Sequence, residues 1–227
     1  MIATLDGVSK QYKVGDQTLT ALQPTSLTVR EGELLLIIGP SGSGKTTLLS
    51  LLGCVIYPTT GQLYVNDRLV NDMTEHDMAA LRLHTIGFVF QNFNLLAPLN
   101  AEQNVRMPLQ LMGVAAAEAD RRVAEALELV GMSDRKKNLP KQLSGGQQQR
   151  IAIARALVTD PRLILCDEPT AALDKDSLRV VMDELRSLAD QGKSVAVVTH
   201  DPRLRDYAHR IIEVDNGSVK EVQDYNG

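Results

Sequence analysis

Gly39-Pro40-Ser41-Gly42-Ser43-Gly44-Lys45-Thr46-Thr47 is the stretch on which the reading of this chain turns. One apolar run, Leu34-Leu35-Leu36-Ile37-Ile38, precedes it, and another, Leu48-Leu49-Ser50-Leu51-Leu52, follows. That order predicts a strand, a glycine loop and a helix. Three glycines let the backbone curl around an anion without Cβ clashes. The helix start then aims its unpaired N–H groups and its positive dipole end at the anion. Lys45 adds a full positive charge for the outer phosphates, and Thr46 offers a hydroxyl to a magnesium ion. A flexible Gly/Ser turn would not explain a lysine and two threonines opening an apolar helix. Residues 39–47 therefore read as a nucleotide phosphate site.

Moving outward, 227 residues suffice for one α/β domain with a lobe inserted. A net charge of -4 leaves no basic excess to neutralise a phosphate backbone, which argues against a dedicated nucleic-acid binder. No apolar run approaches the roughly 18 to 20 residues that span a bilayer. The start, Met1-Ile2-Ala3-Thr4-Leu5-Asp6, lacks the basic-then-apolar order of a signal peptide, so none is expected. Cys54 and Cys166 both sit in apolar surroundings and read as buried free thiols of a reducing, cytosolic compartment.

Before the glycine loop, residues 3–12 and 19–29 alternate loosely around Gly15-Asp16 and predict two antiparallel strands. Tyr12 ends the first, where an aromatic ring either stacks on a base or is ordinary half-buried packing. After the loop, Asn66-Asp67 predicts a hairpin between 62–65 and 68–70, and Thr74 an N-cap for a helix over 74–84. Thr85–Phe90 is a strand closed by Gln91, with Phe88 and Phe90 expected in the core. Phe93, Leu95 and Leu96 lie in an apolar loop that either packs internally or contributes to a docking groove for another protein's helix. Residues 101–157 read as a helical block over Glu102–Met112, Ala115–Val130 and the segment after Ser144. Ser144 is an expected N-cap whose two following glycines, Gly145 and Gly146, leave backbone N–H groups bare: a second anion-binding helix start.

Arg162–Cys166 predicts a buried strand with Asp167 and Glu168 at its carboxyl end, where ligands bind in parallel α/β sheets. Adjacent carboxylates there are costly without partners and read as a magnesium-directed aspartate and a water-polarising glutamate. Ala171–Asp174 is a short turn, followed by a helix that stops at Gly192. His200 ends another buried strand, 194–199, beside the phosphate site. Asp215-Asn216-Gly217 closes a final hairpin. The organisation expected is a single domain, 1–227, with a nucleotide-binding core at about 1–90 and 158–227 and a helical subdomain at about 91–157.

A phosphate loop alone allows kinases, GTPases, helicases or transporters, and no Asn-Lys-x-Asp guanine reader is present. Leu143-Ser144-Gly145-Gly146-Gln147 decides in combination with the rest. The chain resembles the ATP-binding cassette (ABC) ATPases along nearly its whole length. Tyr12 matches the adenine-stacking aromatic, 39–47 the P-loop, Gln91 the Q-loop and 143–147 the signature. Residues 163–168 match the Walker B strand, 171–174 the D-loop and His200 the switch histidine, all in the family's order. Cys166 departs slightly, in a Walker B position usually aliphatic or small. Residues 89–96 and 102–109 resemble in particular the branch serving lipoprotein release, macrolide export and bacterial cell division.

The resemblance implies an α/β P-loop NTPase core, a mixed sheet with an antiparallel β subdomain, and an inserted α-helical subdomain. It implies ATP hydrolysis with magnesium. Lys45, Glu168 and His200 are the catalytic candidates, Glu168 polarising water and His200 contacting the γ-phosphate. Tyr12, Gly39, Pro40, Ser41, Gly42, Ser43, Gly44, Lys45, Thr46, Thr47 and Gln91 would hold the nucleotide on one copy. Ser144, Gly145, Gly146 and Gln147 of a second copy would close over it head to tail, with Asp174 bridging the two. Thr46 and Gln91 would ligate magnesium directly and Asp167 through water. The implied partners are that second copy and a separate integral membrane permease, with a periplasmic adaptor reached through the permease, placing the chain on the cytoplasmic face of the inner membrane. Other readings are an ATP-gated regulator of cell-wall enzymes and a soluble ABC protein of ribosomes or DNA.

Overall fold

The computed structural model describes residues 1–171 and 173–222. Two sheets organise them. β1 (Ala3–Val14), β2 (Gln17–Val29), β4 (Thr60–Val65) and β5 (Arg68–Leu69) form an antiparallel sheet in the order β2-β1-β4-β5. β3 (Leu34–Ile38), β6 (Ile86–Val89), β7 (Leu163–Asp167), β8 (Ser194–Val198), β9 (Arg210–Asp215) and β10 (Ser218–Val222) form a mixed sheet in the order β10-β9-β3-β8-β7-β6. All its pairings are parallel except the closing hairpin of β9 and β10.

The apolar runs that predict these strands are continuous rather than alternating because both faces of the sheet are covered. Leu34 and Leu36 point into one core; Leu35 and Ile37 point into another. The same division recurs on β8, with Val195 and Val197 on the first side and Ala196 and Val198 on the second. α1 (Lys45–Leu52) and the antiparallel sheet pack on the second side, while α6 (Lys175–Asp190) and the helices between β6 and β7 pack on the first. Those helices are α3 (Ala101–Leu111), α4 (Ala116–Leu129) and α5 (Gly145–Leu157).

Local chemistry sets the helix ends. Thr74 caps α2 (Glu75–Thr85) in a reciprocal pairing with Asp77, and Asn100 caps α3 in the same way with Gln103; each satisfies two otherwise orphan N–H groups. Asn66 and Asp67 both have positive φ, 50° and 59°, as the tight β4–β5 turn requires. Cys54 and Cys166 are free and buried. Burial pushes the Cys54 thiol up to about 12, against the pull of Arg82 and Arg68, and burial likewise raises Cys166.

Two expectations are corrected. β1 continues to Val14, so Tyr12 does not end the strand; it is paired with Leu19 inside the ladder. Phe88 and Phe90 share one face, as period-2 geometry requires, and both are half-buried; Phe88 packs against the core as expected, whereas Phe90 belongs to neither core cluster. Their rings stack in parallel at a centroid separation of 5.3 Å and line an apolar groove of about 640 Å³ between α2, β6 and α3. Ala79, Ala80, Leu83, Met107 and Leu111 complete its apolar wall. Leu95 packs against the core, and of the loop from 93 to 99 only Asn94 reaches the groove.

Candidate nucleotide site

The site is built at the carboxyl ends of β3, β7 and β8, where parallel α/β sheets open a crevice. β3 runs into the glycine loop. Gly39 has φ 148° and Gly44 has φ 112°, a region that side chains rarely adopt. Neither could be otherwise: a Cβ on Gly39 would lie 2.1 Å from the carbonyl oxygen of Val214, and one on Gly44 2.4 Å from that of Ala21. Gly44 is the N-cap of α1 and gives it no side-chain hydrogen bond, so the N–H groups of the first turn stay open towards the crevice. The loop is strapped from behind by the last hairpin. Gly217 N donates to Ser43 O at 2.8 Å, and Gln23 N donates to Gly217 O at 2.9 Å.

Lys45 is buried, its ammonium donating to the carbonyls of Gly39 at 2.9 Å and Pro40 at 2.8 Å. Ser41, Gly42, Lys45 and Thr46 line one side of a cleft of about 430 Å³, and Gln91, Asp167, Glu168, Val198 and His200 line the other. Burial, then the adjacent Glu168 charge, raises the Asp167 carboxyl above its ordinary value, with Lys45 pulling the other way. Glu168 has φ 48°, a strained conformation for a side chain of its length. Its N–H is held by Val198 O at 2.9 Å. Its carboxylate meets His200 Nδ1 at 2.7 Å and Thr199 Oγ1 at 3.1 Å. A carboxylate only accepts, so Nδ1 donates here and the exposed ring turns Nε2 outward.

The structure therefore brings Ser41, Gly42, Lys45, Thr46, Gln91, Asp167, Glu168 and His200 together. It does not bring Tyr12, Asp174 or Ser144–Gln147 to that cleft. Tyr12 is partly exposed, with Lys10 Nζ 5.2 Å from its ring centroid. Asp174 caps α6, accepting from Asp176 N, Ser177 N and Ser177 Oγ; its neighbour in the expected turn, Ala172, lies outside the described residues. Ser144 caps α5 as expected, accepting from Gln147 N at 3.3 Å, while Gln147 Oε1 accepts from Ser144 N at 2.9 Å. Sequence reasoning missed Thr199 and the Gly217 strap. A polar residue closing a buried β-branched run just before His200 was the available signal for the first; nothing local signals the second.

The donor set suits a magnesium nucleotide. Ser43 Oγ is buried in the loop with no partner among the described residues. Hydroxyl, amide and carboxylate oxygens face one another across the cleft. Among the described residues no three His, Cys, Asp or Glu side chains cluster to cage a metal. Phosphate loop, paired carboxylates and histidine on this α/β core define a P-loop ATPase.

The comparisons with known proteins specify it further. The family model described as "ABC transporter" matches residues 22–171. An uncharacterized ABC transporter ATP-binding protein, YknY of Bacillus subtilis, is 42% identical over 215 residues, covering 95% of this chain and 94% of its own length. The macrolide export ATP-binding/permease protein MacB of Photorhabdus laumondii is 44% identical over 95% of this chain, which spans 33% of that longer protein. Among solved structures, the dimeric post-hydrolysis state of the ATP-binding cassette MJ0796, bound to ADP and Pi, superposes with a TM-score of 0.91 at 39% identity, covering 99% of this chain and 100% of that one. The chain belongs to the ABC transporter family, as an ATP-binding and ATP-hydrolysing cassette.

Proposed function

We propose that this cassette dimerises around ATP and drives a separate export permease or mechanotransmission complex from the cytoplasmic face of the cell membrane. The carrying observation is that adjacent residues serve two sites: Phe90 lines the apolar groove and Gln91 lines the nucleotide cleft. A helix of a membrane partner seated in the groove would bear on the strand end that presents Gln91. The loop beyond it is tied to α5, with Arg155 donating to Phe93 O at 2.7 Å and to Asn94 O at 2.5 Å. Among the described residues no helix is long and apolar enough to cross a membrane, so the permease would be another polypeptide or another part of one. MacB, which is named as both ATP-binding protein and permease, supports that pairing. A periplasmic adaptor would be reached only through the permease.

Within the cleft, Gly39–Thr47 would wrap the phosphates, and Lys45 would neutralise the outer ones. Thr46 and Gln91 would ligate magnesium directly and Asp167 through water; the ion would supply charge neutralisation on the β- and γ-oxygens. Glu168 would accept a proton from the attacking water, and His200 would hold Glu168 and contact the γ-phosphate through Nε2. Tyr12 would stack on the adenine. Ser144, Gly145, Gly146 and Gln147 of a second copy would close the other side of the phosphates, with Asp174 near the junction. The dimeric MJ0796 cassette bound to ADP and Pi supports this arrangement. The single domain, with its core at 1–90 and 158–227 and helical subdomain at 91–157, would divide the site so that hydrolysis requires closure.

The test is ATPase activity of the chain alone and co-expressed with an export permease that co-purifies with it. Stimulation by the permease, lost together with a fall of about 10²–10⁴ in turnover for Glu168→Gln while ATP still binds, is the expected result. Equal activity with and without the permease would remove the coupling.

A further inference from the structure

The carboxylate of Glu168 is held at two points, and only one of them is the switch histidine. Thr199 is fully buried at the end of β8, and its hydroxyl lies between two groups of fixed hydrogen-bonding sense. The backbone N–H of Asp201 can only donate, and it reaches Oγ1 at 3.0 Å. The Glu168 carboxylate accepts, and its Oε2 lies 3.1 Å from the same Oγ1. A hydroxyl has one proton to give. With Asp201 N occupying an acceptor position, that proton points at Glu168. The other oxygen, Oε1, meets His200 Nδ1 at 2.7 Å. Each carboxylate oxygen keeps a second lone pair, so both contacts leave room for a water.

The geometry points to Thr199 as a positioning residue that sets the carboxylate plane of Glu168 through its Oγ1 hydrogen bond. The reason it is needed lies in the backbone. Glu168 sits at φ 48°, the first residue past β7, and a strained conformation persists only when its surroundings over-determine it. His200 is an exposed side chain, 71% accessible. Thr199 is buried and anchored in the sheet, with Thr199 N donating to Ile37 O at 3.1 Å. Thr199 thus fixes Oε2 of Glu168 from inside the sheet, while His200 meets Oε1 from the exposed side. The same strand end supplies a buried contact and an exposed one. This inference rests on Glu168 being the residue that polarises water.

The test is steady-state ATP hydrolysis by the full chain carrying Thr199→Val, Thr199→Ser and Glu168→Gln, singly, and Thr199→Val combined with Glu168→Gln. Valine replaces the hydroxyl with a methyl of similar shape on a β-branched strand end. Its expected result is a fall of about 10–10²-fold in kcat from a misplaced catalytic group, with KM for ATP within about twofold of the parent. Serine, which keeps the hydroxyl, restores most of the lost turnover. In the Glu168→Gln background the valine adds no further loss, because its effect passes through that carboxylate. Thr199→Ala, which adds no new methyl, repeats the test should valine not fit the site, with the same expected loss. A Thr199→Val enzyme of near-parental kcat, a serine variant as slow as the valine one, or a full further loss in the Glu168→Gln background would each overturn the inference. Normal turnover by Glu168→Gln itself would remove the water-polarising role and the inference with it. A slow Glu168→Gln beside a normal Thr199→Val overturns only the inference.

Discussion

Two helices of this chain begin with glycines, and they begin differently. α1 starts at Gly44, which caps nothing with its side chain and leaves the first-turn N–H groups facing a cleft. α5 starts at Ser144, whose hydroxyl and Gln147 amide satisfy each other's backbone donors. α1 is finished by its own chain: Lys45, Asp167, Glu168 and His200 surround its start. The start of α5 packs instead on α6, with Gly146 facing Leu173 and Ser177, away from those groups. The first opens into a cleft lined by those groups. The second is a capped helix start whose N–H groups on Gly145 and Gly146 have no hydrogen-bond partner among the described residues.

The sharpest way to break that comparison is Gly146→Asp. An acidic first-turn residue suits a helix N-terminus, and replacing a helical glycine costs nothing in propensity. A Cβ there would lie 3.4 Å from Leu173 Cδ2 and 3.6 Å from Ser177 Oγ, a contact that offsets part of the gain, so the isolated chain should unfold within a few degrees of the parent and should bind ATP as before. Turnover should drop by about 10²-fold or more, because the new carboxylate opposes phosphates where backbone donors are needed. A parental ATPase rate from this variant would mean that the α5 start never meets nucleotide.

Gly44→Ala attacks the other helix and should show the opposite pattern. The φ of 112° and the 2.4 Å approach to Ala21 O force the loop to move. Nucleotide affinity of the single chain should weaken by at least about tenfold, the size of one strained backbone position, as read by calorimetric titration. Unchanged affinity would show that the loop tolerates another path.

The smallest effect should come from Asp167→Asn, read as thermal stability in magnesium-free buffer. The folded carboxyl titrates above its unfolded value, through burial first and the Glu168 charge second. Stability from this group is thus full below the unfolded value of about 3.9 and is lost as pH rises through the folded one. The asparagine variant should melt a few degrees higher than the parent at pH 7, and the gap should close as pH falls towards 4. A lower melting temperature at pH 7 would mean the carboxylate is stabilised in the fold, and that the cleft is less destabilising than its charges imply.

Reading the sequence recovered the local features for a local reason. The turn at Asn66-Asp67, the caps at Thr74 and Ser144, and the strand–loop–helix at 34–52 are each specified within a few residues of themselves. The continuous apolar runs at 34–38, 163–166 and 194–198 announced a sheet covered on both faces. Phe90 misled because composition cannot tell a core face from a groove wall. Its half-exposure follows from its place in the groove wall between α2, β6 and α3.

From the sequence alone came the phosphate loop, the paired carboxylates, the histidine and the family they resemble, because each is a contiguous motif with its own chemistry. Tertiary structure alone decided which of them share a cleft. Strand order places β8 between β3 and β7, which carries Thr199 and His200 to Glu168 and leaves Ser144 outside. It also brings Gly217 behind Ser43, a contact between residues far apart in the chain. Such contacts depend on the register of whole strands, and no short stretch of sequence encodes a register by itself.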